Sequence, residues 1–134
     1  MRTLLMTLLP LFAAGCAQDA GSALHVTARS SSTRVGPRVS AIVQSFARER
    51  GFQRLPDPSI GPTFQTYHVE PPNQAATTSL YVFPEPGAAR IEISEVGVWR
   101  PSPKHVEIRR ALKTRLEAAG FAVSRIEPHI FVTH

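Results

Sequence analysis

Residues 79–99, SLYVFPEPGAARIEISEVGVW, decide the fold. Ser79 to Phe83 carries Leu, Tyr, Val and Phe, mostly the aromatic and β-branched types that suit a pleated surface. Pro84-Glu85-Pro86-Gly87 then supplies turn chemistry and Arg90 to Trp99 resumes an extended pattern, so the two runs read as a hairpin. Side chains alternate across a strand. Leu80 and Val82 therefore share the face that packs on helices, while Tyr81 and Phe83 point outward beside Arg90 and Glu92. In the second run Ile91 and Ile93 share one face, whereas Val96 and Val98 fall in the opposite phase. A bulge near Ser94-Glu95 is expected to restore the side.

Helical patterns flank this hairpin. Before it, Val39, Ile42, Val43, Phe46 and Ala47 recur at the spacing of one helix face, with Pro37 suited to the first helical position. Gly51 offers the left-handed residue that stops such a helix, and Phe52 packs back on its last turn. After the hairpin, Ser102 is an N-cap residue, Pro103 a first helical residue, and Ile108, Ala111, Leu112, Leu116 and Ala119 form the apolar stripe before Gly120-Phe121. Leu24 to Ala28, Phe64 to Val69, Phe121 to Ile126 and Ile130 to Val132 read as further strand segments, with a Pro-rich loop over residues 53–63. The order is β-α-β-β-β-α-β. Two helices with one apolar stripe each require one sheet face to cover. The expectation is an α+β, two-layer sandwich: a mainly antiparallel sheet of four to five strands with both helices on one face, a ferredoxin-like variant.

Length and composition agree with one ordered domain. The chain has 134 residues, 43% hydrophobic and 19% charged. Its formal charge is +5, and all but two of its 15 basic residues are arginine, scattered rather than clustered with aromatics. That scatter disfavours nucleic-acid binding. With one cysteine, Cys16, no internal disulfide can form.

The N-terminus follows a different grammar. Arg2 and the amino group form a positive start, Leu4 to Phe12 is almost wholly apolar, and Ala13, Ala14 and Gly15 are small. A run of about ten apolar residues is too short for a bilayer core of about 30 Å and suits a secretory leader. The stretch Leu11-Phe12-Ala13-Ala14-Gly15-Cys16 resembles the lipobox of bacterial lipoproteins, with Ala13 where that family most often has leucine. The resemblance implies a signal peptide over residues 1–15, acylation of Cys16, a linker through residue 23 and one domain over 24–134. It further implies a membrane anchor, since two or three acyl chains hold essentially permanently. Ala17 stands where an aspartate favours inner-membrane retention in Gram-negative lipoproteins, which points to the periplasmic face of the outer membrane.

The mature chain commits to no chemistry. It has no G-x-S-x-G, P-loop or Rossmann glycine pattern, and its thiol is spent on acylation. His25, His68, His105, His129 and His134 have no metal-ligand spacing and read as surface residues, so neither a metal nor another cofactor is expected. Glu92, Glu95 and Glu107 are carboxylates that only the fold can pair. Trp99, at a strand end, reads as a core plug. Arg109, Arg110 and Lys113 interleave with Glu107 and Glu117 as a solvated helix face, or one that meets anionic headgroups. The leading expectation is a non-enzymatic accessory or binding module of the cell envelope. Its protein partner would be recognised by the open sheet face and its edge strand, through Tyr81, Phe83, Arg90 and Glu92. The alternative is a small hydrolase of cell wall or lipid, which requires a pocket joining His68 or His129 to a carboxylate.

Overall fold

A computed structural model describes residues 19–30, 34–55, 65–69 and 78–128. The elements are β1 (Asp19–Ala28), α1 (Val35–Glu49), β2 (Gln53–Leu55), β3 (Gln65–Val69), β4 (Thr78–Glu85), β5 (Ala88–Val96), α2 (Pro103–Ala118) and β6 (Phe121–Ile126). The strands lie in the order β2-β3-β4-β5-β1-β6, and every neighbouring pair is antiparallel. The four long strands, β4-β5-β1-β6, have the order of the ferredoxin-like split β-α-β arrangement. The expected α+β two-layer sandwich is thus present around a four-stranded antiparallel core, which the short pair β2 and β3 widens at the β4 edge to six strands among the described residues. Gln53–Leu55 thus belongs to the sheet rather than to a loop.

The expected hairpin is β4–β5, with Leu80 opposite Ile93 and Val82 opposite Ile91. The turn narrows to Pro86-Gly87, and Gly87 takes a φ of 67° that a side chain would resist. Among the described residues β3 pairing ends at Val82, so Pro84, two positions further along β4, has a single strand neighbour in β5. No bulge forms near Ser94-Glu95. Pairing runs unbroken from Ala88 to Val96 against β1 and from Ala88 to Glu95 against β4, so strict alternation turns Glu95 toward the helices and Val96 away from them.

Two further boundaries differ from the sequence reading. β1 begins at Asp19, so residues 19–23, expected as linker, are strand. Pairing with β5 from Asp19 and with β6 from Ala23 supplies what this small, polar segment lacks in propensity. α1 begins at Val35, two residues before Pro37, which still lies in the first turn where a missing N–H goes unused. α2 starts as expected: Ser102 caps it in extended conformation and Pro103 opens it. The expected segments at Phe64 and at Ile130 to Val132 lie outside the described residues, as do the leader and Cys16.

The core lies between the sheet and both helices. Val39, Val43, Phe46 and Ala47 of α1 and Ile108, Leu112 and Leu116 of α2 pack on Leu24, Val26, Leu80, Val82, Ile91, Ile93 and Phe121. Each such aliphatic side chain contributes about 1.5–3 kcal/mol when it leaves water. Outside the core, Arg115 and Glu49 join the helices through two contacts of 2.6 and 2.8 Å, and Arg50 and Glu107 form a second forked pair.

Candidate functional site

The sheet face opposite the helices brings together all four residues singled out on the hairpin. Tyr81 pairs with Glu92 and Phe83 with Arg90, and alternation sets all four on that face. The Arg90 guanidinium lies 4.5 Å from the centre of the Phe83 ring, a cation–π contact. Arg90 Nε is 3.2 Å from Glu92 Oε1, an ion pair whose angle falls short of a hydrogen bond. Arg90 also reaches Glu85 at 3.4 Å, and His25 Nε2 lies 3.9 Å from the other oxygen of Glu85.

This face is not the open patch that alternation suggested. Glu92 is 0% exposed, and Ala23, Ser79 and Ser94 beside it are also buried. Tyr81 and Phe83 are half-buried. β4 is no edge strand either, because β3 pairs with it along Val82 to Thr78. What remains accessible is a rim of Tyr81, Phe83, Arg90, Glu85 and His25, which lies to one side of the buried Glu92, Ser79 and Ser94.

A second polar cluster lies on the helix side, where no candidate was expected. Ser22 Oγ is 2.6 Å from His105 Nε2, and the two residues are 2% and 0% exposed. Beside them the buried Glu95 carboxylate accepts from the Ser102 backbone N–H at 3.0 Å and from the Ser102 hydroxyl. Ser102 Oγ in turn accepts from the His105 N–H at 3.3 Å. Burial holds the His105 imidazole below its ordinary pKa, Glu95 opposes that shift, and Arg109 and Arg125 add to it. Nδ1 of His105 has no hydrogen-bond partner. The Nε2–H tautomer, donating to Ser22, therefore leaves an unpaired acceptor rather than the costlier unpaired donor.

A serine oxygen against an imidazole has the outline of a nucleophile and its base. Here both are sealed from solvent, nothing orients Nδ1, and Ser102 engages Glu95. The arrangement ties the start of α2 to β1 and β5. One signal for it was legible: His105 precedes Ile108 by three positions and so lies on the apolar stripe. Ser22 was hidden in the expected linker, and Glu95 behind the expected bulge.

The remaining candidates scatter. Glu107 is held by Arg50 and Glu117 by Lys113, so the helix face is largely a lattice of ion pairs. Glu92 and Glu95 lie on opposite sheet faces. The backbone of His68 pairs with Ser79, while His129 and His134 fall outside the described residues. Among the described residues no group of His, Cys, Asp or Glu could hold a metal, and no helix is long and apolar enough to cross a membrane. Trp99 is no core plug. It is 81% exposed because Gly97, at a φ of 80°, turns the chain out of the sheet after Val96. No protein-family model matches the chain, and comparison with curated proteins finds no relative.

Proposed function

We propose that this chain is an envelope lipoprotein, acylated at Cys16, whose domain binds another envelope protein and performs no catalysis. The observation that carries the binding reading is the rim of Tyr81, Phe83 and Arg90. There a guanidinium is already stacked on an aromatic ring 4.5 Å away and lies beside a buried carboxylate. Aromatic and arginine side chains held in place in this way surrender little entropy on binding, and they are the types that dominate interface energetics. In a Gram-negative envelope, Ala17 after the acylated cysteine supports placement at the periplasmic face of the outer membrane.

Two measurements test this reading. Mass spectrometry of the protein from membranes should find an acylated Cys16 at the new N-terminus; an intact Met1 or a free thiol there removes the anchor. Pull-down from detergent-solubilised envelopes should recover a protein partner that Tyr81→Ala combined with Phe83→Ala no longer holds. A hydrolase of cell wall or lipid is the competing reading, and it would require the buried Ser22–His105 pair to open to solvent. Covalent labelling of Ser22 by a fluorophosphonate in the folded protein would establish that activity in place of the binder.

A further inference from the structure

We infer that the end of the domain carrying Val96, Trp99, Arg100 and Lys104 is seated in the headgroup layer of the bilayer. This rests on acylation of Cys16. Trp99 is 81% exposed and Val96 40%, the large hydrophobic side chains that the described domain leaves in water. Both belong to one end of the sheet. Val96 pairs directly with Asp19, where β1 begins. Cys16 lies three positions before Asp19, so an extended backbone carries the acylated residue at most about 11 Å from that pair. The tether therefore cannot present any other end of the domain to the lipid as closely.

The chemistry of the end suits that surface. Indole combines an apolar body with one N–H and concentrates where hydrocarbon meets headgroups. Arg100 follows Trp99 directly and Lys104 stands in the first turn of α2; both are exposed, and neither has an ion-pair partner among the described residues. Near an anionic surface each such charge raises binding about fivefold. An aqueous protein partner has no comparable reason to meet this end, because the tether already holds it against lipid.

Trp99 is the sole tryptophan of the chain, so its fluorescence reports this place alone. The acylated full-length protein is reconstituted into vesicles of phosphatidylcholine and phosphatidylglycerol, with and without brominated acyl chains. Brominated lipid should quench Trp99 severalfold, and vesicles should shield it from acrylamide. Arg100→Glu with Lys104→Glu should weaken both effects without releasing the protein. Firmly attached, acylated protein whose Trp99 stays open to acrylamide and unquenched by bromine overturns the seating while leaving the anchor intact. Shielding from acrylamide without bromine quenching also overturns it, in favour of cover by protein. An absent acyl mass sinks the anchor itself and the seating with it.

Discussion

Glu95 of β5 accepts a hydrogen bond from the backbone N–H of Ser102, the N-cap of α2, at 3.0 Å. The Ser102 hydroxyl donates to the same carboxylate. A buried anion at a helix N-terminus meets both the unpaired first-turn donors and the positive end of the helix dipole. This contact explains why β5 stays regular where its apolar pattern changes phase: a glutamate can turn inward because the start of a helix receives it.

Removing either partner should therefore weaken the fold. Glu95→Ala is expected to cost about 1.5–3 kcal/mol, the range for a lost hydrogen bond to a charged group. Ser102→Ala should cost about 1 kcal/mol as a lost N-cap. The double variant should lose measurably less than the sum, because each single change already breaks the shared contact. Urea unfolding of the three variants checks this. Additive losses would mean that the two groups act independently.

The His105 network gives stability a dependence on pH. Its folded pKa lies below the ordinary value of 6.5, chiefly through burial. The unfolded chain thus takes up the proton first, and protonation favours unfolding. The stabilisation is complete above pH of about 6.5 and declines as pH falls toward the lower, folded pKa. Below that value the folded protein binds the proton too, and the loss levels off. His105→Gln keeps a side-chain donor for Ser22 while removing the titration. Melting curves across this window should be flatter for that variant than for the parent; equal slopes would assign the dependence to other groups.

How far the sequence reached follows from how locally each element is determined. The α2 stripe from Ile108 to Leu116 and the Ser102-Pro103 start are set by neighbours within two turns, and both were legible. So was the pairing of Leu80 and Val82 against Ile93 and Ile91, because a short turn fixes its register. Asp19 to Ala23 was read as linker because its strand character comes entirely from β5 and β6, far away in sequence. The bulge expected at Ser94-Glu95 and the core position expected for Trp99 fail for a related reason. What keeps β5 regular with Glu95 turned inward, the N-cap Ser102, and what turns Trp99 out, the bend at Gly97, lie outside the strand pattern. The four rim residues were found together, since alternation places them correctly; their depth was not, because burial depends on what surrounds the sheet.

Leu112 and Trp99 make a paired test of where the core lies. Leu112 is fully buried between α2 and the sheet. Leu112→Ala should cost about 2–5 kcal/mol through lost transfer energy and the cavity left behind. Trp99→Ala removes a larger side chain that touches little protein, so the change should stay within about 0.5 kcal/mol. Chemical denaturation of the two variants side by side decides it. A loss at Trp99 comparable to that at Leu112 would return the indole to the core.

The ion pair of Arg90 with Glu92 sits out of reach of water on the carboxylate side only. Glu92 is 0% exposed, whereas the Arg90 side chain keeps about a fifth of its surface. Arg90→Met preserves most of the aliphatic packing against Phe83 but withdraws the positive charge from a buried carboxylate. A wholly buried pair broken in this way costs about 3–5 kcal/mol. The partial exposure of Arg90 and the imperfect angle at Nε bring the expected loss to about 2–3 kcal/mol. Adding Glu92→Gln should recover much of it, since a neutral amide needs no counter-charge. That recovery separates an electrostatic role for Arg90 from simple packing: if the double variant is no more stable than Arg90→Met alone, the guanidinium acts on this face through the Phe83 ring and not through Glu92.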